Sequence, residues 1–123
     1  MIDVDSFKLI NDHFGHQVGD KVLQEVASLL TKQVRESDLV IRYGGDEFLL
    51  MLIETDEYTE RVKERIQQVV EEKNKIGKSL PFPITLSIGT AHWDPKKRES
   101  IDQVLARADR RMYASKGARR GTG

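Results

Sequence analysis

The sequence predicts an α/β (α+β) domain, a mixed sheet with helices packed on it. Three observations carry this reading. Apolar residues recur at helical spacing in some segments and alternate at strand spacing in others, in the order β–α–α–β–β–α–β–α. Two apolar runs, Leu39–Tyr43 and Phe48–Ile53, flank Gly44-Gly45, which is a hairpin signal. Phe82, Ile84, Leu86 and Ile88 alternate strictly with Pro83, Thr85 and Ser87. Any βαβ-type crossover should be right-handed.

Taken in chain order, Ile2-Asp3-Val4 reads as strand. A strand usually needs about 5–6 residues, so Met1-Ile2 reads as the stump of a longer one, cut inside or just before it; a natural short form starting at Met1 is the alternative. Phe7–Phe14 forms a short helix that stops at Gly15. A second helix runs from Gly19 to about Val34, with Val22, Val26, Leu29 and Leu30 on one face and Asp20 in its first turn. The hairpin spans 39–53. A third helix covers roughly Glu57–Lys75 and ends at Gly77. The strand over 82–88 leads to Gly89, which marks a close backbone approach. Trp93–Glu99 is a turn-rich loop. Ser100 with Gln103 resembles a capping box opening a last helix that ends at about Lys116, and the Gly- and Arg-rich tail after it should fray.

The 123 residues suffice for one domain, 1–123, with one modest core. Lys+Arg and Asp+Glu both number 20, and this zero balance argues against a general nucleic-acid binder. There is no Cys, which excludes disulfides and thiolate metal sites. No apolar run reaches membrane-spanning length and no secretory signal is visible. A soluble, cytoplasmic domain without membrane contact of its own is expected, in a parent protein that is itself either soluble or membrane-anchored.

The acids are placed where folding alone does not need them. Asp46 and Glu47 sit beside the diglycine turn, and Asp3 and Asp5 at the end of the first apolar stretch. Carboxylate pairs at strand ends suit hard divalent cations. Magnesium takes octahedral oxygen ligands and uses one or two protein carboxylates plus substrate phosphates. Asp3, Asp46 and the Val4 carbonyl fit this if the first strand neighbours the hairpin. Two ions about 3.5–4 Å apart can clamp the attacking and leaving oxygens of a phosphoryl transfer. Lys8, Arg42, Lys116 and Arg120 offer cations for phosphates. Asn11 and Asp20 either read a purine edge or are a helix-end polar residue and a helix N-terminal acid. The histidines, His13, His16 and His92, form no metal pattern.

Several separated motifs, in order, resemble one family. Gly44-Gly45-Asp46-Glu47-Phe48 resembles the defining motif of the GGDEF diguanylate cyclases. Asp3-Val4-Asp5-Ser6-Phe7-Lys8-Leu9-Ile10-Asn11-Asp12-His13-Phe14-Gly15 through Asp20 is similar to the family's second long motif. Arg42-Tyr43 and Ala108-Asp109 … Met112-Tyr113 … Lys116 match as well. The resemblance implies a nucleotide-cyclase or polymerase-palm-like fold with a central, mostly antiparallel sheet flanked by helices. It implies that two GTP molecules, one on each chain of a transient antiparallel homodimer, condense into cyclic di-GMP and pyrophosphate. Asp3, the Val4 carbonyl and Asp46 would bind Mg2+ (or Mn2+). Asn11 and Asp20 would recognise guanine, and Lys8, Arg42, Lys116 and Arg120 would lie at the phosphates. Glu47 would help deprotonate the attacking 3′-hydroxyl, or assist a metal in doing so. Arg35-Glu36-Ser37-Asp38 fits the Arg-x-x-Asp pattern of the family's product-inhibition site, with Arg35 and Asp38 binding cyclic di-GMP.

The match departs at both ends. The family's Asp-x-Leu-Thr motif and its helix before the first strand have no counterpart here, which should expose an apolar surface and leave the triphosphate site part-built. The usual Gly-Arg-Asn after the last helix reads Arg119-Arg120-Gly121. Weak or absent turnover by this stretch of chain is therefore expected. The rival function is a non-catalytic module that senses GTP or cyclic di-GMP; a palm-like polymerase fragment fits poorly, because the charge balance offers no template track.

Overall fold

The computed structural model describes residues 1–53, 56–77 and 80–122; the side chains of Asp56 and of 117–122 lie outside the described set. Its elements are β1 (Ile2–Val4), α1 (Phe7–Phe14), α2 (His16–Gln33), β2 (Leu39–Arg42), β3 (Glu47–Met51), α3 (Asp56–Ile76), β4 (Leu86–Ile88), a 3-10 turn (Pro95–Lys97) and α4 (Ile101–Thr122). The order matches the sequence reading. The strands form one sheet in the order β2-β3-β1-β4. Among the described residues every pairing is antiparallel, so the handedness rule for parallel crossovers has nothing to act on.

The short β1 is central. It pairs with β3 through Ile2↔Phe48 and Asp3↔Glu47, and with β4 through Ile2↔Ile88, Asp3↔Ser87 and Val4↔Leu86. Side chains alternate across a sheet. Ile2, Val4, Phe48, Leu86 and Ile88 therefore join the core under α2 and α3, with Val22, Val26, Leu30, Val62 and Ile66. The in-between residues Asp3, Glu47 and Ser87 fall on the opposite face. Among the described residues α4 covers that face, through a small cluster of Met1, Ala108 and Met112. Beside α4 lies an apolar groove of about 490 Å³, lined in part by Leu49, Met51, Ile53, Ile101 and Leu105.

Three expectations need correction. Helix α2 starts at His16, directly after Gly15 at φ 90°, so Asp20 lies beyond the first turn. Strand β4 is three residues long rather than spanning 82–88. Pro83 has no N–H to donate, and Ile84 spends both backbone groups on the Asn74 side chain, at 2.8 and 2.6 Å. Helix α4 runs to Thr122 rather than ending near Lys116. The hairpin loop closes with Tyr43 and Gly44 N–H both donating to the Glu47 carbonyl, and neither turn glycine has positive φ.

The capping box is present: Ser100 N–H donates to Gln103 Oε1 at 2.9 Å, and Gln103 N–H to Ser100 Oγ at 3.2 Å. Gly89 is the close approach anticipated. A Cβ there would lie 2.1 Å from the Ala108 carbonyl and 2.2 Å from the Met112 nitrogen, both backbone atoms of α4. Neither can move without the helix. Gly89→Ala should cost about 1–3 kcal/mol, the usual penalty of overpacking, seen as a lower urea midpoint; an unchanged midpoint would show that α4 is free to lift off the sheet.

Candidate functional site

The site forms at the end of β1 where β3, the hairpin turn and the C-terminal part of α4 meet. Asp3 is 4% exposed. Lys116, one turn past Met112 on α4, donates its ammonium to Asp3 Oδ2. Asp3 Oδ1 is buried with no hydrogen-bond partner. The Asp46 carboxylate lies close enough to act on Asp3 and to raise its pKa. Val4 N–H is bonded to the Asp46 carbonyl at 3.1 Å, which ties the hairpin turn to the end of β1. Thus the two acids proposed as ligands converge, and Val4 lies between them in the chain.

Burial is the largest influence on Asp3 and pushes its carboxyl up; Asp46 adds to this, Lys116 opposes it, and the result is about 6. Glu47, directly across the ladder from Asp3, is also raised, by burial first and then by Asp109 on α4 and by Asp46. Lys116 is raised by its bond to Asp3, against the effect of its own burial. The pocket therefore gathers Asp3, Asp46, Glu47 and Asp109 around two ammoniums, those of Lys116 and of the Met1 amino terminus. Gly44 accommodates the crowding: a Cβ there would sit 3.1 Å from Glu47 Oε1.

Among the described residues no group of three or more His, Cys, Asp or Glu side chains could hold a metal. A cation here would rest on the Asp3 and Asp46 carboxylates and a backbone carbonyl, with its remaining positions left to water or substrate, as magnesium commonly binds. The orphaned Asp3 Oδ1 fits such an ion, because a buried acceptor without a donor is costly.

The other anticipated residues are more dispersed. Asp5 does not join the acid pair. Its carboxylate accepts from Thr85 Oγ1 at 2.7 Å and Ser87 Oγ at 2.5 Å, fixing the turn in which Ser6 adopts φ 58°. Lys8 is exposed in the first turn of α1. Arg42 caps the hairpin by donating to the Gly45 carbonyl at 2.9 Å, which leaves most of its five donors unused. Asn11 projects from α1 toward α2, and Asp20 is exposed on α2. The Arg120 side chain lies outside the described residues.

Arg35 and Asp38 lie in the connection between α2 and β2. The Arg35 guanidinium sits over the Tyr58 ring, 3.9 Å from its centroid, beside Arg61 and Arg65 in one shallow pocket. Asp38 is buried and accepts from Arg35 N–H, Ile53 N–H and Tyr58 O–H. Its carboxylate thus faces inward and builds the loop from which Arg35 projects. The sequence pointed to no role for Tyr58, whose hydroxyl has no periodic signature. Asp109, beside Glu47, likewise carried no assigned role.

The raised Asp3 carboxyl makes a signed prediction. Unfolded, it should titrate near ~3.9. Between about pH 4 and pH 6 the folded chain keeps a proton that the unfolded chain has lost, so Asp3 makes stability fall as pH rises through that window. Asp46→Asn removes the adjacent like charge. It should raise stability at pH 7 by about 0.5–2 kcal/mol without divalent cations and abolish any increase in Tm caused by MgCl2. Destabilisation with the magnesium response intact would contradict the geometry.

Comparison with known proteins bears on this site. The family model described as "Diguanylate cyclase, GGDEF domain" matches residues 1–122. Diguanylate cyclase A of Treponema denticola is 42% identical over 117 residues, which is 94% of this chain and 31% of that protein. Thus the chain spans about a third of that relative's length. Among solved structures, the GGDEF domain of YfiN (TpbB) from Pseudomonas aeruginosa superposes with a TM-score of 0.82 at 36% identity, covering 95% of this chain and 73% of that one. The GGDEF domain of DgcB from Caulobacter crescentus, solved in complex with c-di-GMP, gives 0.79 at 34% identity, covering 95% and 70%. With its acid pair, diglycine turn and α4 lysine in place, the chain belongs to the diguanylate cyclase GGDEF domain family.

Proposed function

We propose that the protein condenses two GTP molecules into cyclic di-GMP with release of pyrophosphate, using Mg2+ or Mn2+ held by Asp3, Asp46 and the Val4 carbonyl. The observation that carries this reading is the convergence of the Asp3 and Asp46 carboxylates beside Glu47 and Lys116. A bound divalent ion would supply positive charge where negative charge grows on the phosphates.

The chain's own residues have the following parts. Lys116 brings a cation to the rim of the acid pair and is within reach of a phosphate that displaces it from Asp3. Lys8 and the unused donors of Arg42 add charge for the leaving pyrophosphate, and these contacts strengthen as the transition state forms; Arg120 is assigned the same part from its sequence position. Glu47 takes the proton from the attacking 3′-hydroxyl, a role favoured by its raised pKa, which brings it nearer to the working pH of a base. Asn11 and Asp20 read guanine. One chain cannot present two nucleotides in opposed orientation, so two chains pair transiently and antiparallel, which turns an encounter into a positioned reaction.

Cyclic di-GMP also acts back, through Arg35. Its exposed guanidinium over Tyr58, with Arg61 and Arg65 alongside, suits a phosphate or a guanine edge. Asp38 contributes by fixing that loop and through whatever acceptor capacity its three internal bonds leave. The domain works in the cytoplasm; among the described residues no helix is long and apolar enough to cross a membrane.

Incubation with GTP and magnesium, with cyclic di-GMP measured by chromatography, tests the reaction. The rate should rise with the square of protein concentration at low concentration, and Asp46→Ala should lower it by about 100-fold or more. Product that survives Asp46→Ala would remove the metal assignment. Separately, Arg35→Ala should raise the cyclic di-GMP concentration needed for half-inhibition by about tenfold or more; unchanged inhibition would refute the role of Arg35.

A further inference from the structure

We propose that Gly19 is a positioning residue: its missing side chain forms the slot that sets the Asn11 carboxamide for reading a guanine base. The inference rests on the assignment of Asn11 and Asp20 to guanine and explains how that reader is held.

Gly19 is buried inside α2, where glycine is a poor helix former. Its φ is not positive, so the backbone does not require glycine there. The requirement comes from a neighbour. A Cβ at this position would lie 1.8 Å from Asn11 Oδ1 and 2.9 Å from Asn11 Cγ, with Phe7 Cζ next at 3.4 Å. The carboxamide of α1 thus rests directly on the Cα of α2. No backbone atom is among these neighbours, so a methyl group would displace the Asn11 side chain and leave the helices where they are.

The seated end of Asn11 is Oδ1, which is buried and without a hydrogen-bond partner. Such an acceptor is unfavourable for folding alone. Its seating leaves Nδ2 as the end able to meet a ligand, as a donor. The next residue after the slot, Asp20, is exposed and, ionised, can only accept. A donor seated on Gly19, with a carboxylate on the residue that follows, suits guanine, whose adjacent N1–H and N2–H groups pair with a carboxylate while a ring acceptor takes the amide. Adenine has no such pair of adjacent donors.

Binding of GDP and ADP to the chain, with Tm as a second measurement, tests this in Asn11→Ala, Gly19→Ala and the double variant. Asn11→Ala should weaken GDP binding about tenfold or more, Gly19→Ala should do so by a similar factor, and the double variant should be no weaker than either. ADP binding should not change. Once Asn11 is truncated, adding Gly19→Ala should raise Tm, because the slot is vacant and alanine favours helix. GDP affinity retained in Gly19→Ala but lost in Asn11→Ala would overturn the positioning role and leave the base reader standing. GDP affinity retained in Asn11→Ala would remove the base reader and the inference with it. Should Gly19→Ala fold poorly, an equal loss of Tm in the Asn11→Ala background would show that the methyl strikes something other than Asn11, and would also overturn the proposal.

Discussion

A buried carboxylate held against a second, half-buried one is the constraint on which the rest of this structure turns. Asp3 is buried on the central strand with Asp46 beside it, and one ammonium, Lys116, offsets part of the repulsion. Burying like charges opposes folding unless a cation compensates. The fold tolerates the arrangement because both acids are anchored by backbone bonds: Asp3 through ladders on both sides, Asp46 through the bond from Val4 to its carbonyl. The site is thus preorganised to attract a divalent ion.

The scaffold converts simple periodicities into that geometry. Alternation along β1 and β3 sends Ile2, Val4 and Phe48 into the main core and turns Asp3 and Glu47 to the opposite face. On that face α4 must lie close for Lys116 to reach Asp3, and Gly89 permits it by leaving no Cβ between strand and helix. Helices α1 and α2 follow one another with only Gly15 between them, which brings Asn11 against Gly19. Glycines at 19 and 89 therefore act by absence, one for a polar side chain and one for a helix backbone.

Much of this was legible in the sequence. Element order, the ends of α1 and α3, the capping box and the Gly89 approach followed from local signals: periodicity, punctuation and capping chemistry. The Asp3–Asp46 convergence depended on β1 lying next to the hairpin, a long-range pairing that the family resemblance made expected. What the sequence did not show shares a cause, namely competition between local and tertiary partners. Strand periodicity over 82–88 could not show that Asn74 would take the backbone groups of Ile84. The Arg-x-x-Asp spacing could not show that Asp38 would turn inward to Tyr58 and Ile53. Nor did the pairing of Asp5 with the hydroxyls of Thr85 and Ser87 leave any trace in composition or spacing.

The most direct test is an NMR titration of the Asp3 side-chain carboxyl with and without magnesium. Without the ion the carboxyl should titrate near 6, where burial and Asp46 place it. Saturating magnesium should move that midpoint well down, because the bound cation favours the ionised form. A midpoint in the ordinary aspartate range that ignores magnesium would mean that Asp3 and Asp46 do not share an ion, and the proposed chemistry would lose its centre.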